Sequence, residues 1–373
     1  MDFDFSEEQR LLGETVDRFV ADRYDFAQRE AILAQGEGWS ADVWCALAEL
    51  GLLGVGFAEA DGGFGGGGIE RMIIAEAFGR GLLLEPWLAT VVLAGGALRR
   101  AGTAEQKEAR IGAIIAGERI MVLAHVEPQG LRHTRDARAL AVAHGEGYRI
   151  TGEKIAVLHG GSAHELVVSA RVGDETGLFL VDVDSPGVSR ETVRGYDGVP
   201  VSTIRFEDAP AEALGAADEG RRVLAAVLDD AIAVLTAEAV GAMTETLRLT
   251  GDYLKTREQF GVALASFQAL QHRMVDMYVQ VELSRSAAIH AALACDDPSG
   301  GGTLHIAAAK AQAGRAGRLV GQNAIQLHGA IGFTAEHKVG HLFKRLAAID
   351  ALFGDADHHI DRIAEAGGLP PLS

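Results

Sequence analysis

The hydrophobic period changes twice along this chain, and that double change limits the fold more than any other feature. Over residues 1–118 apolar side chains recur at helical spacing. Leu12, Val16, Phe19 and Val20 follow Ser6 and Gln9, which have the spacing of a capping box. Val43, Trp44, Leu47 and Leu50 share one face of a second helix, opened by Ser40 and stopped at Gly51. Further helices are expected over 69–80 and 104–116, and DGGFGGGG, residues 61–68, reads as a flexible loop. From 119 to 218 the pattern becomes short β-rich runs at 120–126, 139–143, 148–151, 166–170, 178–183 and 201–206. Turn residues such as Gly145, Gly152, Pro186 and Gly187 separate them. Helical spacing returns over 219–373, first with Leu235, Ala239, Met243 and Leu247 ahead of a stop at Gly251. Then come Leu270, Met274, Met277, Tyr278 and Val281, and then Ile306, Ala309, Ala313, Val320 and Ala324. Helices segregated from a β unit make the class α+β. The expected domains are an N-terminal helical domain (1–118), a middle β-sandwich or barrel (119–218) and a C-terminal helical bundle (219–373). No linker separates them, so they are expected to pack as one body.

Charge narrows the partners. Acids outnumber bases to give a net charge of −18, which repels phosphate backbones and anionic lipid, so neither nucleic acid nor a membrane is expected as partner. The start, MDFDFSEEQRLL, lacks the basic-then-apolar pattern of a secretory signal, and the apolar run 87–98 is too short to span a bilayer. The 2 cysteines, Cys45 and Cys295, form no disulfide scaffold. The expected location is the cytoplasm.

Several familiar sites are missing or incomplete. The glycines of 61–68 lie between helical segments and not after a strand, so they do not fit a dinucleotide-binding turn. No P-loop and no GxSxG elbow occurs. His337 and His341, and the cluster Asp355, Asp357, His358 and His359, lack a complete zinc pattern, so no metal is expected. His125, His159 and His164 fall at irregular spacing and read as ordinary polar contacts. Two segments stand out. In YLKTREQFGVALASFQALQHRMVDM, Arg257 precedes a Phe-Gly turn between helices, where a planar guanidinium either holds a phosphate or forms an interhelical ion pair. In QLHGAIGFTAEHKVGHLFKR, Gly329 and Gly332 either stop a helix or let a ligand approach the backbone.

Taken together, TREQFG, QLHGAIGFTAEH, the opening FSEEQRLL and LAELGLLGVGFAEADGGFGG resemble the acyl-CoA dehydrogenase family along the whole chain. The ending IDALFGDADHH, with KTREQFG and GHLFKR, is most similar to the pimeloyl-CoA dehydrogenase small-subunit branch of that family. The resemblance implies an N-terminal helical domain, a middle β-domain and a C-terminal four-helix domain. It implies FAD held between two subunits, with corner and loop acting on the neighbour's flavin. On that pattern Arg257 holds the pyrophosphate, with Gln259 and Phe260 beside it. Phe267 and Gln268 lie along the adenosine side, and Gln326, His328, Gly329 and Gly332 cradle the dinucleotide. It also implies an acyl-CoA thioester substrate that loses an α-proton to a carboxylate and a β-hydride to the flavin, with electron-transferring flavoprotein as the onward partner.

The chain departs from that pattern where the chemistry occurs. The family's glutamate just before a glycine is Phe353 here, and the alternative base position on the first C-terminal helix is Ala231, beside Asp229 and Asp230. Asp230 is the one candidate catalytic base, if the register slips by one. The TEPGAGSD-like stretch reads VEPQGLRHTRD, and the flavin-contacting threonine of the later W-I-T stretch is Leu158, after Ala156 and Val157. A leucine donates no hydrogen bond. The expectation is therefore one subunit of a heteromeric α2β2 dehydrogenase whose partner chain supplies the base. Two alternatives stand beside it. One is a homo-oligomeric enzyme with a displaced aspartate, Asp230 or Asp355; the other is a dehydrogenase-like assembly protein without turnover.

Overall fold

The computed structural model describes residues 5–130, 137–297 and 302–369. These form two compact units. A helical unit takes the chain up to residue 31, then 68–83 and everything from 232 onward; a barrel unit takes 32–67 and 84–231. The order helix, strand, helix runs along the chain as expected, while packing groups the residues differently: the divisions fall inside two helices and split the N-terminal helices between the units.

In the helical unit, α1 (Glu7–Arg23) starts on the Ser6–Gln9 capping box and buries Val16 and Phe19. It packs on α4 (Gly68–Gly81), and α4 packs on α8 (Gln268–Cys295). Helix α9 (Thr303–His328) lies against α8, α10 (Lys338–Ala351) and α11 (Ala356–Glu365). The long helix α7 (Gly220–Thr256) crosses α4 with backbone on backbone. A Cβ on Gly79 would collide with the Glu238 carbonyl, and one on Gly241 with the Glu76 carbonyl. Arg345 of α10 pairs with Glu238 of α7 at 2.6 Å, both side chains buried. The α7 helix does not stop at Gly251. It runs on to Thr256, because Gly251 has room beside Met274 and one interior glycine costs only about 1 kcal/mol.

The barrel unit closes a ring. β4 (Glu165–Val172), β2 (Leu140–His144), β3 (Gly147–Leu158), β7 (Pro200–Ala213) and β5 (Glu175–Asp182) pair in that order, and β5 pairs back onto β4. β1 (Met121–Ala124) lies parallel to β4, and β6 (Val188–Arg194) lies antiparallel to β7. β4 and β5 are nearly continuous apolar runs and are buried along most of their length. β6 is exposed from Ser189 onward, as an edge strand with two valines among polar residues is. Also here are α3 (Ala41–Glu49), capped by Ser40, and α6 (Ala104–Ile115), opened by the capping box Thr103–Gln106. Between them in sequence, a π-helical turn over Leu88–Ala94 leads into α5 (Gly95–Ala101). A helix over Phe26–Gln35, α2, crosses from one unit's residues to the other's.

Two local expectations are corrected. Leu50 is exposed, because it caps α3 and does not join the buried face. The glycine stretch after Asp61 is pinned back on the chain: Gly56 N–H donates to Gly65, Gly65 N–H to Phe57, and Phe64 N–H to Gly54. Among the described residues no helix is long and apolar enough to cross a membrane.

Candidate cofactor site

The Phe-Gly turn is the tip of a short hairpin after α7, made by β8 (Glu258–Gln259) and β9 (Val262–Ala263). Phe260 and Gly261 both have positive φ, +55° and +80°, as a two-residue hairpin turn twisted to match its strands requires. The turn lifts Phe260 into solvent, 91% exposed, with its ring edge-on to half-buried Phe267 at 6.2 Å. Arg257 opens the hairpin. Its N–H donates to Tyr253 and its carbonyl accepts from Leu264, while its guanidinium is exposed and has no ion pair among the described residues. The interhelical salt bridge is therefore not what Arg257 makes. Gln259 is exposed and donates to the carbonyl beside it; Gln268 is the exposed first residue of α8.

The second segment meets the first. α9 ends at His328, and Gly329 reverses the chain at φ +65° into one short helical turn, Gly329–Phe333. His328 stacks on Tyr253 at 4.6 Å, one turn of helix before Arg257. Its Nδ1–H donates to the Ala324 carbonyl at 2.8 Å, and burial holds its pKa below the ordinary histidine value. Gln326 and Gly329 are exposed, and Gly332 is buried against α9. The Tyr253–His328 stack thus ties the end of α9 to the last turns of α7, which lead into the hairpin opened by Arg257. Nothing in the spacing of residues 253 and 328 announces the Tyr253–His328 stack.

Asp230 is not an open carboxylate. It lies in the barrel unit, buried, and takes Arg100 at 2.7 Å and Arg99 at 3.5 Å. Asp355 is likewise engaged, since its carboxylate caps α11 by accepting the His358 N–H. Phe353 lies in the helical unit, on a left-handed turn at φ +56°, with its ring on Ile232, Ala233, Ala291, Ile306 and Ala309. Two buried side chains grip that turn. Lys310 Nζ donates to the carbonyls of Asp350 and Gly354, and His359 Nε2–H donates to that of Phe353. Burial pushes Lys310 down to about 8 and His359 down to about 3. Sequence reasoning missed this grip, because the Lys310 amine reaches carbonyls, which leave no mark in a residue pattern.

The remaining histidine candidates make contacts within the chain. Among the described residues no three metal-capable side chains cluster. His337 caps α10, and His341 Nε2–H donates to the Ala335 carbonyl. His164 Nδ1 accepts the Ile120 N–H, and His125 Nδ1 lies 2.9 Å from Ser169 Oγ. Ala156 stands at φ +52° in a bulge of β3, and Leu158 is buried. Of the stretch 126–136, residues 131–136 lie outside the described residues.

Comparison with known proteins follows the same lines. Residues 6–118 match the family model "Acyl-CoA dehydrogenase, N-terminal domain" and residues 218–368 match "Acyl-CoA dehydrogenase, C-terminal domain". A solved relative, the Tcur3481–Tcur3483 steroid ACAD in a variant form, is 32% identical over 97% of this chain and 99% of its own, with a TM-score of 0.88. The chain belongs to the acyl-CoA dehydrogenase family. FAD is the cofactor that membership of this flavoprotein family brings. Acyl-CoA dehydrogenase FadE27 of Mycobacterium tuberculosis is 28% identical over 97% of this chain and 98% of its own. The ChsE4–ChsE5 complex from the same organism is 26% identical over the full length of both chains, with a TM-score of 0.88. Each of these two solved relatives carries a pair of names.

Proposed function

We propose that this chain is the subunit without a catalytic base in a heteromeric, FAD-dependent acyl-CoA dehydrogenase, an α2β2 assembly. The observation that carries this is Phe353. A phenyl ring accepts no proton, and this ring is turned onto an apolar cluster by a backbone that Lys310 and His359 hold. The two aspartates weighed as alternative bases are committed elsewhere, Asp230 to Arg100 and Arg99, and Asp355 to the start of α11. A self-sufficient homomer with either aspartate as base has no such support.

The chain's residues fit FAD on one side only. The guanidinium of Arg257, exposed and without an ion pair among the described residues, and the exposed backbone at Gly329 suit an anionic dinucleotide, with Phe260 and Phe267 as apolar faces beside it. Leu158, buried and without a polar atom in its side chain, does not suit a flavin ring that needs a hydrogen-bond donor. When bound, FAD supplies the hydride acceptor for α,β-dehydrogenation of an acyl-CoA thioester. On this reading Arg257, Gln259, Gln268, Gln326 and His328 hold the partner's cofactor, and the partner chain supplies the carboxylate that takes the α-proton. Electron-transferring flavoprotein is the onward acceptor. The paired names Tcur3481–Tcur3483 and ChsE4–ChsE5 support a two-chain enzyme.

The test is a flavin count per chain, with and without co-expressed candidate partners. The chain alone is expected to purify colourless and inactive, and the two-chain assembly yellow and active on acyl-CoA. A yellow, active chain on its own refutes the proposal. An assembly without substrate-dependent flavin bleaching would instead favour the non-catalytic assembly protein.

A further inference from the structure

The barrel unit buries a polar network that no step above uses. Lys154 of β3 is fully buried, and its Nζ lies 2.6 Å from Glu127 Oε1, 3.2 Å from the His125 carbonyl and 3.1 Å from Ser169 Oγ of β4. Glu127, just past β1, accepts the N–H of Arg138 at 2.9 Å and of Ala139 at 2.9 Å, at the entry to β2. The His125 ring holds the same Ser169 hydroxyl from its other side. One ammonium and one carboxylate thus tie together four strands. They do so where β3 carries its bulge, between Lys154 and Val157, and where Ile155 N–H donates to the Val126 carbonyl.

We propose that the Lys154–Glu127 pair is a proton-controlled pin, which holds the entry of β2 and the bulge of β3 against the end of β1 while Lys154 is charged. The groups that face Lys154 are Glu127 and His125 beyond β1 and Ser169 on β4. Among these Glu127 supplies the opposing charge. Burial, only partly offset by Glu127, pushes Lys154 down to about 8, so its proton is exchanged within an accessible pH range. Burial alone would raise Glu127, but Lys154 and the two amides carry it below the usual carboxylate range. When Lys154 is neutral, Glu127 is a buried anion without a counter-charge. It then gains by taking water, which frees the amides of Arg138 and Ala139. The pin is independent of the heteromer reading, because it needs neither flavin nor partner.

Hydrogen exchange of the full-length chain tests this, with rates corrected for the intrinsic pH dependence of amide exchange. Between pH 7 and pH 9.5 the amides of Arg138 and Ala139 are expected to lose about tenfold in protection, while Val168 and Phe179, paired between β4 and β5, hold theirs. Glu127→Gln is expected to abolish the pH step, and Lys154→Met to leave the two amides unprotected at both pH values. The wild-type measurement decides even if a variant fails to fold. Unchanged protection of Arg138 and Ala139 at pH 9.5 overturns the proposal, and so does a parallel loss at Val168 and Phe179, which would be general loosening.

Discussion

Acidification should weaken the helical unit through one side chain. His359 is fully buried, its Nε2–H donates to the Phe353 carbonyl at 3.1 Å, and its pKa lies at about 3. Burial is the main cause, with the cations Lys310 and Arg362 adding to it. In the unfolded chain the ring titrates near its ordinary value of 6.5. As pH falls below 6.5 the unfolded state therefore takes up a proton that the folded state refuses until about 3, and stability falls throughout that window. Between pH 7.5 and pH 5 this amounts to about 2 kcal/mol, and near pH 3 it approaches a limit of roughly 4–5 kcal/mol. Urea unfolding followed by circular dichroism at pH 7.5 and 5.0 measures it. His359→Gln is the comparison, since glutamine can still donate to the Phe353 carbonyl but does not titrate. Wild type should lose about 2 kcal/mol more than the variant over that interval. His305, His328, His337 and His341, all held down by burial, titrate in both proteins and cancel in the difference. Equal losses in the two proteins would refute the assignment of the acid-sensitive group.

Other outcomes follow from single contacts. Gly314→Ala drives a Cβ into the Asp350 carboxylate and should cost about 1–3 kcal/mol, read as a lowered melting temperature. Arg345→Met strands the buried Glu238 carboxylate and should cost roughly 3–5 kcal/mol in urea unfolding, with much of that recovered by adding Glu238→Leu. Arg257→Ala should leave the melting temperature of the chain unchanged, because the guanidinium is exposed and makes no ion pair among the described residues. In the two-chain assembly it should weaken FAD retention about ten- to a hundredfold, measured by flavin release on dilution. Asp230→Asn should leave assembly turnover within a few-fold of wild type while lowering barrel stability, since Arg100 and Arg99 lose their carboxylate; a collapse in turnover alone would restore Asp230 as the base.

What could be read in the sequence was what repeats or what caps. Ser6–Gln9 and Ser40 announced their helices, and the β-rich runs at 166–170 and 178–183 announced β4 and β5. The Thr103–Gln106 box carried the same signal as Ser6–Gln9 and sets the start of α6. β6 carried almost none, because an exposed edge strand need not alternate. Gly251 misled because local propensity says stop, while the packing of a long helix says continue. At the site, Arg257 and the 326–332 loop stood out as segments, but their meeting depends on Tyr253 and His328, 75 positions apart by the difference of their numbers. Asp230 looked available because its arginines are 130 residues away in the chain. The Lys154 and Lys310 networks were invisible for the same reason, since their partners are backbone groups or distant side chains.

The backbone-on-backbone crossing of α4 and α7 has a consequence for how this chain can change over generations. Gly79 and Gly241 each face a carbonyl of the other helix, so neither position can accept any other letter while the crossing persists. A side chain at either position would have to push the two helices apart. A chimera that takes α4 from one relative and α7 from another should fold only when both parents share the paired glycines. A tree built from such chains should then show the two positions as silent, however fast the residues around Phe353 drift.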